Sequence, residues 1–221
     1  AVPVSKARDV GFDRSMIGSY GHDDRVCAYT ALMATADCKD PRYTSVLVLT
    51  DKEETGSDGN TGLCSSYLQY FIADLAAAFG QEARTVLSHS RCLSADVNAA
   101  FDPTFPDVLD PRNAAFLNYG VVVTKFTGAR GKSGTSDASA EFVATIRNLM
   151  DENQIIWQTG ELGKVDMGGG GTVALYIANM DVDTIDVGVP VMSMHAPMEV
   201  VAKIDVYMAY KAFLAFISDK T

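Results

Sequence analysis

Four short segments place acidic residues or a histidine beside a predicted strand or helix. Asp23 directly precedes a helical pattern, and the Glu53–Glu54 doublet follows a continuous apolar run. Asp96 closes a short strand candidate, and His195 follows the last strand candidate. Carboxylate oxygen and imidazole nitrogen both bind zinc, and a bridging carboxylate can hold two ions roughly 3.5–4 Å apart. The four segments therefore predict a site for a pair of zinc ions.

The glutamate doublet could serve such a site in two ways, since one side chain can bind metal while its neighbour takes a proton from water. Each segment also has an ordinary structural interpretation. Asp23–Asp24 could only cap a helix and complement its dipole. Glu53–Glu54 could be solvated loop charges, Asp96 could form an Asx turn, and His195 could be a structural histidine. Each interpretation is favoured alone, but the site is absent only if all four hold together.

The elements that must position these residues alternate between strands and helices. Ser45–Thr50 (SVLVLT) is a continuous apolar run, typical of a buried parallel strand. Other strands are predicted over 85–87, 92–95, 120–126, 155–157 and 184–187, and helices from Asp24 and over 63–79, 142–150, 172–179 and 200–214. Such alternation favours an α/β sandwich with a mainly parallel central sheet. Ligands of these sheets bind at the carboxyl ends of the strands.

Composition excludes several classes of protein. The chain has 221 residues, 48% of them apolar and 21% charged, which suits one large globular α/β domain. A net charge of −10 would repel backbone phosphates, so no nucleic acid partner is expected. No apolar run approaches the roughly 18 residues of a membrane span, and no signal peptide pattern is present. The four cysteines form no CxxC pair, which favours a cytoplasmic protein.

Two glycine-bearing segments resemble phosphate-binding loops. Gly128–Ser133 contains Gly-Lys-Ser, but the phosphate loop needs a glycine five residues before the Gly-Lys pair, where Phe126 stands. The Gly168–Gly171 run precedes a predicted helix and could hold an anion or a substrate carbonyl. A tight turn with close backbone approach is the favoured interpretation of that run.

Several motifs together resemble the M18 family of zinc aminopeptidases, the group that contains aspartyl aminopeptidase and aminopeptidase I. The resemblance covers nearly the whole chain, and its motifs occur in the family's order. They are GHDDRVCAYTAL (21–32), DKEETGSDGNTG (51–62), LSADVNAAFDP (93–103) and DVGVPVMSMHAPMEV (186–200). Membership implies a three-layer, zinc-exopeptidase-like sandwich that hydrolyses N-terminal residues from peptides with two zinc ions per subunit.

The resemblance also implies a role for each matched residue. Asp23 would bridge the two metals, and Glu54 would bind one of them together with His195. Asp96 would bind the other metal, and Glu53 would be the general base.

Substrate and assembly follow from the same resemblance. Lys125 falls near a lysine that the family places close to the substrate pocket. The glycine run, including Gly170 and Gly171, would shape the loop beside the cleft. The family implies a homo-oligomer, with a dodecamer as its usual form.

The chain departs from the family pattern at one metal ligand. The family's first ligand is a His on an early strand, upstream of an inserted dimerisation domain, and no residue here occupies that position. Residues 1–20 are accordingly predicted as the tail of that insert and 21–221 as the catalytic domain, apparently without its N-terminal part. The missing ligand would leave this chain alone inactive. A catalytically incomplete assembly subunit and a related zinc amidohydrolase therefore remain alternatives.

Overall fold

The computed structural model describes residues 2–220, which form a mixed α/β structure. The helices are α1 (His22–Asp37), α2 (Tyr67–Ala78), α3 (Ala83–Ser88), α4 (Ala140–Glu152), α5 (Ala174–Ala178) and α6 (Lys203–Ser218). The strands are β1 (Arg8–Val10), β2 (Met16–Ser19), β3 (Arg91–Ser94), β4 (Asn98–Ala99), β5 (Val121–Thr124), β6 (Phe126–Ala129), β7 (Ser133–Asp137), β8 (Trp157–Thr159), β9 (Gly169–Gly170), β10 (Asp183–Gly188), β11 (Pro190–Val191) and β12 (Glu199–Ala202). No helix among these residues is long and apolar enough to cross a membrane.

The largest sheet has the order β3-β10-β5-β8. β3 runs parallel to β10 and β5 runs parallel to β8, whereas β10 and β5 are antiparallel. The sheet is therefore mixed, and the predicted mainly parallel arrangement is not confirmed. Its two inner strands place apolar side chains in the core, as in a sheet covered on both faces: Val121, Val122, Ile185 and Val187 are almost completely buried.

Helices α1, α4 and α6 surround the core of this sheet. α1 packs along α6, which also contacts β5, and α4 contacts both α6 and β10. The amphipathic pattern of α4 places Phe142, Ile146 and Met150 in the core, and Ser139 caps the helix by accepting the N–H of Phe142. This packing covers β5 and β10, and β10 pairs with β3, which ends shortly before Asp96.

Two sequence predictions are wrong at the level of elements. Thr85–Leu87 lies in α3 and not in a strand, because a run of three residues, two of them β-branched, is too short to fix its own conformation. The predicted C-terminal helix begins only at Lys203, since 199–202 form β12, which pairs with β2. That pairing places residues 8–19 against the C-terminal part of the chain. Whether residues 1–20 are the tail of an insert stays a prediction, and Ala1 lies outside the described residues.

The SVLVLT segment is a third difference between the predicted and the observed elements. It is not hydrogen-bonded into a sheet, and Val46, Val48 and Leu49 are 42–59% exposed. Within residues 2–220, β3 pairs with β10 alone. A cleft of about 420 Å³ lies between residues 45–50 and residues 91–96, with Ile177 and Phe213 among its lining side chains. The apolar pattern was a sound strand signal, but a strand also needs a neighbour within hydrogen-bonding distance.

Candidate metal centre

The first predicted segment begins α1. Gly21 at its start has φ +74°, a left-handed conformation that glycine adopts at no steric cost. Asp23 and Asp24 follow in a non-helical first turn, joined by a cis peptide bond. No side-chain hydrogen bond caps the helix at Gly21, although the Asp24 carboxylate lies close to the backbone N–H of Cys27.

The glutamate doublet opens a short 3-10 turn, Glu53–Thr55, immediately after the SVLVLT segment. Lys52 before it and Gly56 after it both have left-handed backbones, with φ +67° and +97°. The Ser57 N–H donates to the Lys52 carbonyl at 2.8 Å, which closes the turn. Tyr176 of α5 donates its hydroxyl to the Gly56 carbonyl at 3.3 Å and ties the turn to the body of the protein.

Asp96 lies two residues after the end of β3. Its Oδ1 accepts the Val97 N–H at 2.8 Å. Gly188, at the end of β10, makes this arrangement possible, because a Cβ there would lie 1.6 Å from the Asp96 carbonyl oxygen. Only glycine lets the two backbones approach so closely.

His195 lies in the loop between β11 and β12. Both Ser193 and His195 have left-handed backbones, with φ +60° and +64°. The loop carries the imidazole back to the start of α1, where its Nε2 lies 2.8 Å from Asp23 Oδ2 and 3.1 Å from Glu54 Oε1.

The predicted residues converge in two overlapping groups. Ligand atoms of Asp23, Glu54 and His195 all lie within 4.8 Å of one another, and so do those of Asp23, Asp24 and Asp96. Asp23 belongs to both groups. The arrangement thus has the form of two adjacent cation sites that share one carboxylate.

Four carboxylates of this cluster are harder to ionise than usual. Burial raises the pKa of Asp23 to about 7, and the charge of Glu54 adds to the effect. Burial raises the pKa of Asp24 to about 8, and it raises the pKa of Asp96 well above its ordinary value, with Asp24 and Glu53 contributing by their charge. The pKa of Glu53 is also raised, by burial first and by Glu54 second. A group of mutually repelling, partly buried carboxylates is what a bound cation would stabilise.

The donor set fits zinc. It consists of carboxylate oxygens and one imidazole nitrogen, all of which bind zinc at roughly 2.0–2.2 Å. Asp24 Oδ1 is buried without a hydrogen-bond partner among the described residues, and an ion at the second group would satisfy it.

The model of the family described as aminopeptidase I zinc metalloproteases (M18) matches residues 1–217. The chain belongs to the M18 family. A probable M18 family aminopeptidase 1 from Clostridium acetobutylicum is 46% identical over 99% of this chain, and one from Borreliella afzelii is 47% identical over 99%. Family membership supports zinc as the metal.

Solved structures agree with this assignment. The crystal structure of aminopeptidase I from Clostridium acetobutylicum superposes with a TM-score of 0.93 at 46% identity, and that of an M18 aminopeptidase from Thermotoga maritima with a TM-score of 0.95 at 43% identity. Each covers 99% of this chain. A structure titled as an S. cerevisiae mApe1 dodecamer shares the fold, with a TM-score of 0.83 at 24% identity.

The M18 chain spans about half the length of the relatives it matches, 48% and 49% of the two curated relatives and 48% and 50% of the two bacterial structures.

Three residues predicted to contact substrate lie outside both ligand groups of this M18 chain. Lys125 lies between β5 and β6, and its Nζ forms an ion pair with Asp137 of β7. Gly170 belongs to β9, which pairs with β6, and Gly171 packs beside the Gly134 carbonyl. Their roles toward substrate stay predictions.

Sequence reasoning missed two residues of the site. The sequence around Asp24 indicates only a helix cap, yet its carboxylate belongs to the second ligand group. Glu199 was not considered, although it is 2% exposed and accepts hydrogen bonds from the backbones of Asp23 and His195. A signal for Glu199 existed in the sequence, since an acidic residue within an otherwise apolar strand requires a partner.

Proposed function

We propose that this chain carries the catalytic residues of a metalloaminopeptidase that hydrolyses N-terminal residues from peptides at a dinuclear zinc site. The observation that carries the proposal is the shared position of Asp23 in two ligand groups, with Glu53 beside them. Asp23 would bridge the ions, Glu54 and His195 would hold one, and Asp96 with Asp24 would hold the other. The general-base role belongs to Glu53.

Bound zinc would supply Lewis-acid polarisation of the substrate carbonyl and a lowered pKa for water. The remaining chemistry belongs to the side chains of this chain. Glu53 is in neither ligand group, so its carboxylate stays available to accept the proton of the attacking water. Its raised pKa makes it a better base near neutral pH and also a competent acid for returning that proton to the leaving amine.

The negative charge of the site accounts for exopeptidase action. A free α-amino group is cationic near neutral pH, and the carboxylate of Glu53, which is in neither ligand group, would keep negative charge beside the bound ions. A peptide bond in the middle of a chain offers no such cation.

Paired peptides test this function in the complete protein. A peptide with a free N-terminus should be cleaved roughly 100-fold or more faster, in kcat/KM, than the same sequence acetylated at its N-terminus. A chelator should abolish the activity and zinc should restore it. Equal cleavage of both peptides, or cleavage at internal bonds, would contradict the proposal, and zinc binding without any turnover would favour the incomplete assembly subunit.

The sheet of the complete protein should also be larger than the one described here. We propose that a strand from outside these 221 residues occupies the cleft between residues 45–50 and β3, since apolar side chains such as Val46, Leu47 and Leu93 line both walls and the relatives are about twice as long. Such a strand would turn the SVLVLT segment into a sheet member and would support the three-layer, mainly parallel sandwich. Its end would also lie beside Asp24, Glu53 and Asp96, which line the same cleft, and could supply the missing ligand.

Hydrogen exchange distinguishes an occupied from an open cleft. Those backbone amides of residues 91–95 that point away from β10 should exchange at least about tenfold more slowly in the complete protein than in the 221-residue chain, because an added strand would pair with the free edge of β3. Residues 121–123 of β5, which already lie inside the sheet, serve as the internal control. Equal exchange of residues 91–95 in both proteins would show that the edge stays open.

A further inference from the structure

Glu199 is a fully buried carboxylate that joins two ligand segments from opposite ends of the chain. It lies on β12 with 2% of its surface exposed. Its Oε2 accepts the backbone N–H of Asp23 at 3.1 Å, and its Oε1 accepts the backbone N–H of His195 at 2.7 Å. Hydrogen bonds to an ionised acceptor are among the strongest that a protein forms.

Both hydrogen bonds hold backbone segments that regular secondary structure does not stabilise. Asp23 lies in the non-helical start of α1, outside the hydrogen-bond ladder of that helix. His195 has a left-handed backbone, a conformation that disfavours residues with a Cβ and persists only when neighbours hold it. Each N–H would otherwise lack a partner, since neither forms a backbone hydrogen bond among the described residues.

Glu199 is not itself suited to bind metal. Both of its oxygens already accept a backbone N–H, and it belongs to neither ligand group. Its effect on an ion must therefore pass through Asp23 and His195, whose side chains lie 2.8 Å apart.

We propose that Glu199 is a positioning residue that fixes the distance between the Asp23 carboxylate and the His195 imidazole, and thereby sets the zinc affinity of the site. The inference rests on the proposed function only in assuming that these two side chains bind zinc. Groups that orient metal ligands typically contribute about 10–100-fold to metal affinity.

If Glu199 only stabilised the fold, its loss would lower the melting temperature without a specific effect on zinc binding. The chain contains a matched control residue for this alternative. Asp205 of α6 is also fully buried and also accepts two backbone N–H groups, those of Asn118 and Gly120, each at 2.7 Å. It belongs to neither ligand group. Glu199→Gln and Asp205→Asn therefore remove the same kind of interaction, since an amide offers one acceptor oxygen where the carboxylate offered two.

The experiment measures zinc affinity by chelator competition, and the visible spectrum after cobalt substitution, in the complete protein and both variants. Glu199→Gln should weaken zinc binding about 10–100-fold and alter the cobalt spectrum. Asp205→Asn should leave zinc affinity and the cobalt spectrum unchanged, even if its melting temperature falls as far as that of Glu199→Gln. Glu199→Asp retains the charge but is too short to reach both N–H groups, so it should resemble Glu199→Gln and provides the test if the latter does not fold.

Unchanged zinc affinity and cobalt spectrum in the Glu199 variants would overturn the positioning role, and so would equal losses in the Asp205→Asn protein. Failure of the unmodified protein to bind zinc would instead refute the proposed function. The two failures are thus distinguishable within one set of measurements.

Discussion

Glu53→Gln in the complete protein is expected to lower kcat roughly 10²–10⁴-fold while zinc content stays unchanged. Glutamine has nearly the same shape as glutamate but cannot accept a proton from water, so only the base is lost. Zinc should be retained because Glu53 is in neither ligand group. Steady-state hydrolysis of a free N-terminal peptide, together with metal analysis after dialysis, measures both quantities.

The neighbouring glutamate supplies the matched control. Glu54→Gln removes a side chain that lies 3.1 Å from His195 Nε2, so it should lower zinc content as well as activity. Glu141→Gln, on the exposed face of α4, should change neither. A kcat within tenfold of the unmodified protein for Glu53→Gln would show that the base is assigned wrongly, and loss of zinc from that variant would exchange the roles of the two glutamates.

Zinc binding should release protons, and the number should depend strongly on pH. Without a cation, Asp23 and Asp24 have pKa values of about 7 and about 8, so both are largely protonated at pH 6. A cation requires the carboxylate form, so binding at pH 6 should release about two protons or more and binding at pH 9 fewer. The apparent affinity should accordingly rise by up to about 100-fold per pH unit below pH 7 and more slowly above pH 8.

The raised pKa values of Asp23 and Asp24 also make the stability of the metal-free chain depend on pH. Raised carboxyl pKa values favour the folded metal-free chain at low pH, and this contribution is lost as pH rises through about 7 and 8. The zinc-dependent increase in melting temperature should therefore grow with pH.

Titration calorimetry in buffers of different ionisation enthalpy counts the protons that zinc binding releases. Asp205→Asn should leave the count unchanged, although burial raises the pKa of Asp205 to about 6 as well. A count near zero at pH 6 would contradict the cluster.

The convergence of Asp23, Glu54, Asp96 and His195 could be predicted because local signals mark these positions. Asp96 and His195 follow short β segments, and Asp23 starts a helix, so periodicity alone places them where chains of an α/β fold converge. The α4 and β10 elements were predicted for the same reason, since their apolar patterns match the helical and buried-strand periods.

The features that the sequence did not predict depend on contacts between distant parts of the chain. Asp23 and Glu199 are 176 positions apart, and no local pattern shows that the N–H of one meets the carboxylate of the other. The SVLVLT segment has strand chemistry, but its hydrogen-bonding state depends on what lies beside it. The antiparallel contact of β10 with β5 likewise follows from chain connectivity and not from composition.

Anomalous scattering at the zinc edge, from crystals of the zinc-loaded complete protein, tests most directly whether these side chains form one dinuclear centre. Two peaks about 3.5–4 Å apart are expected, one among Asp23, Glu54 and His195 and the other beside Asp96, with the Asp23 carboxylate between them. Zinc-saturated crystals without density at these side chains, or with zinc bound elsewhere on the chain, would contradict the dinuclear centre.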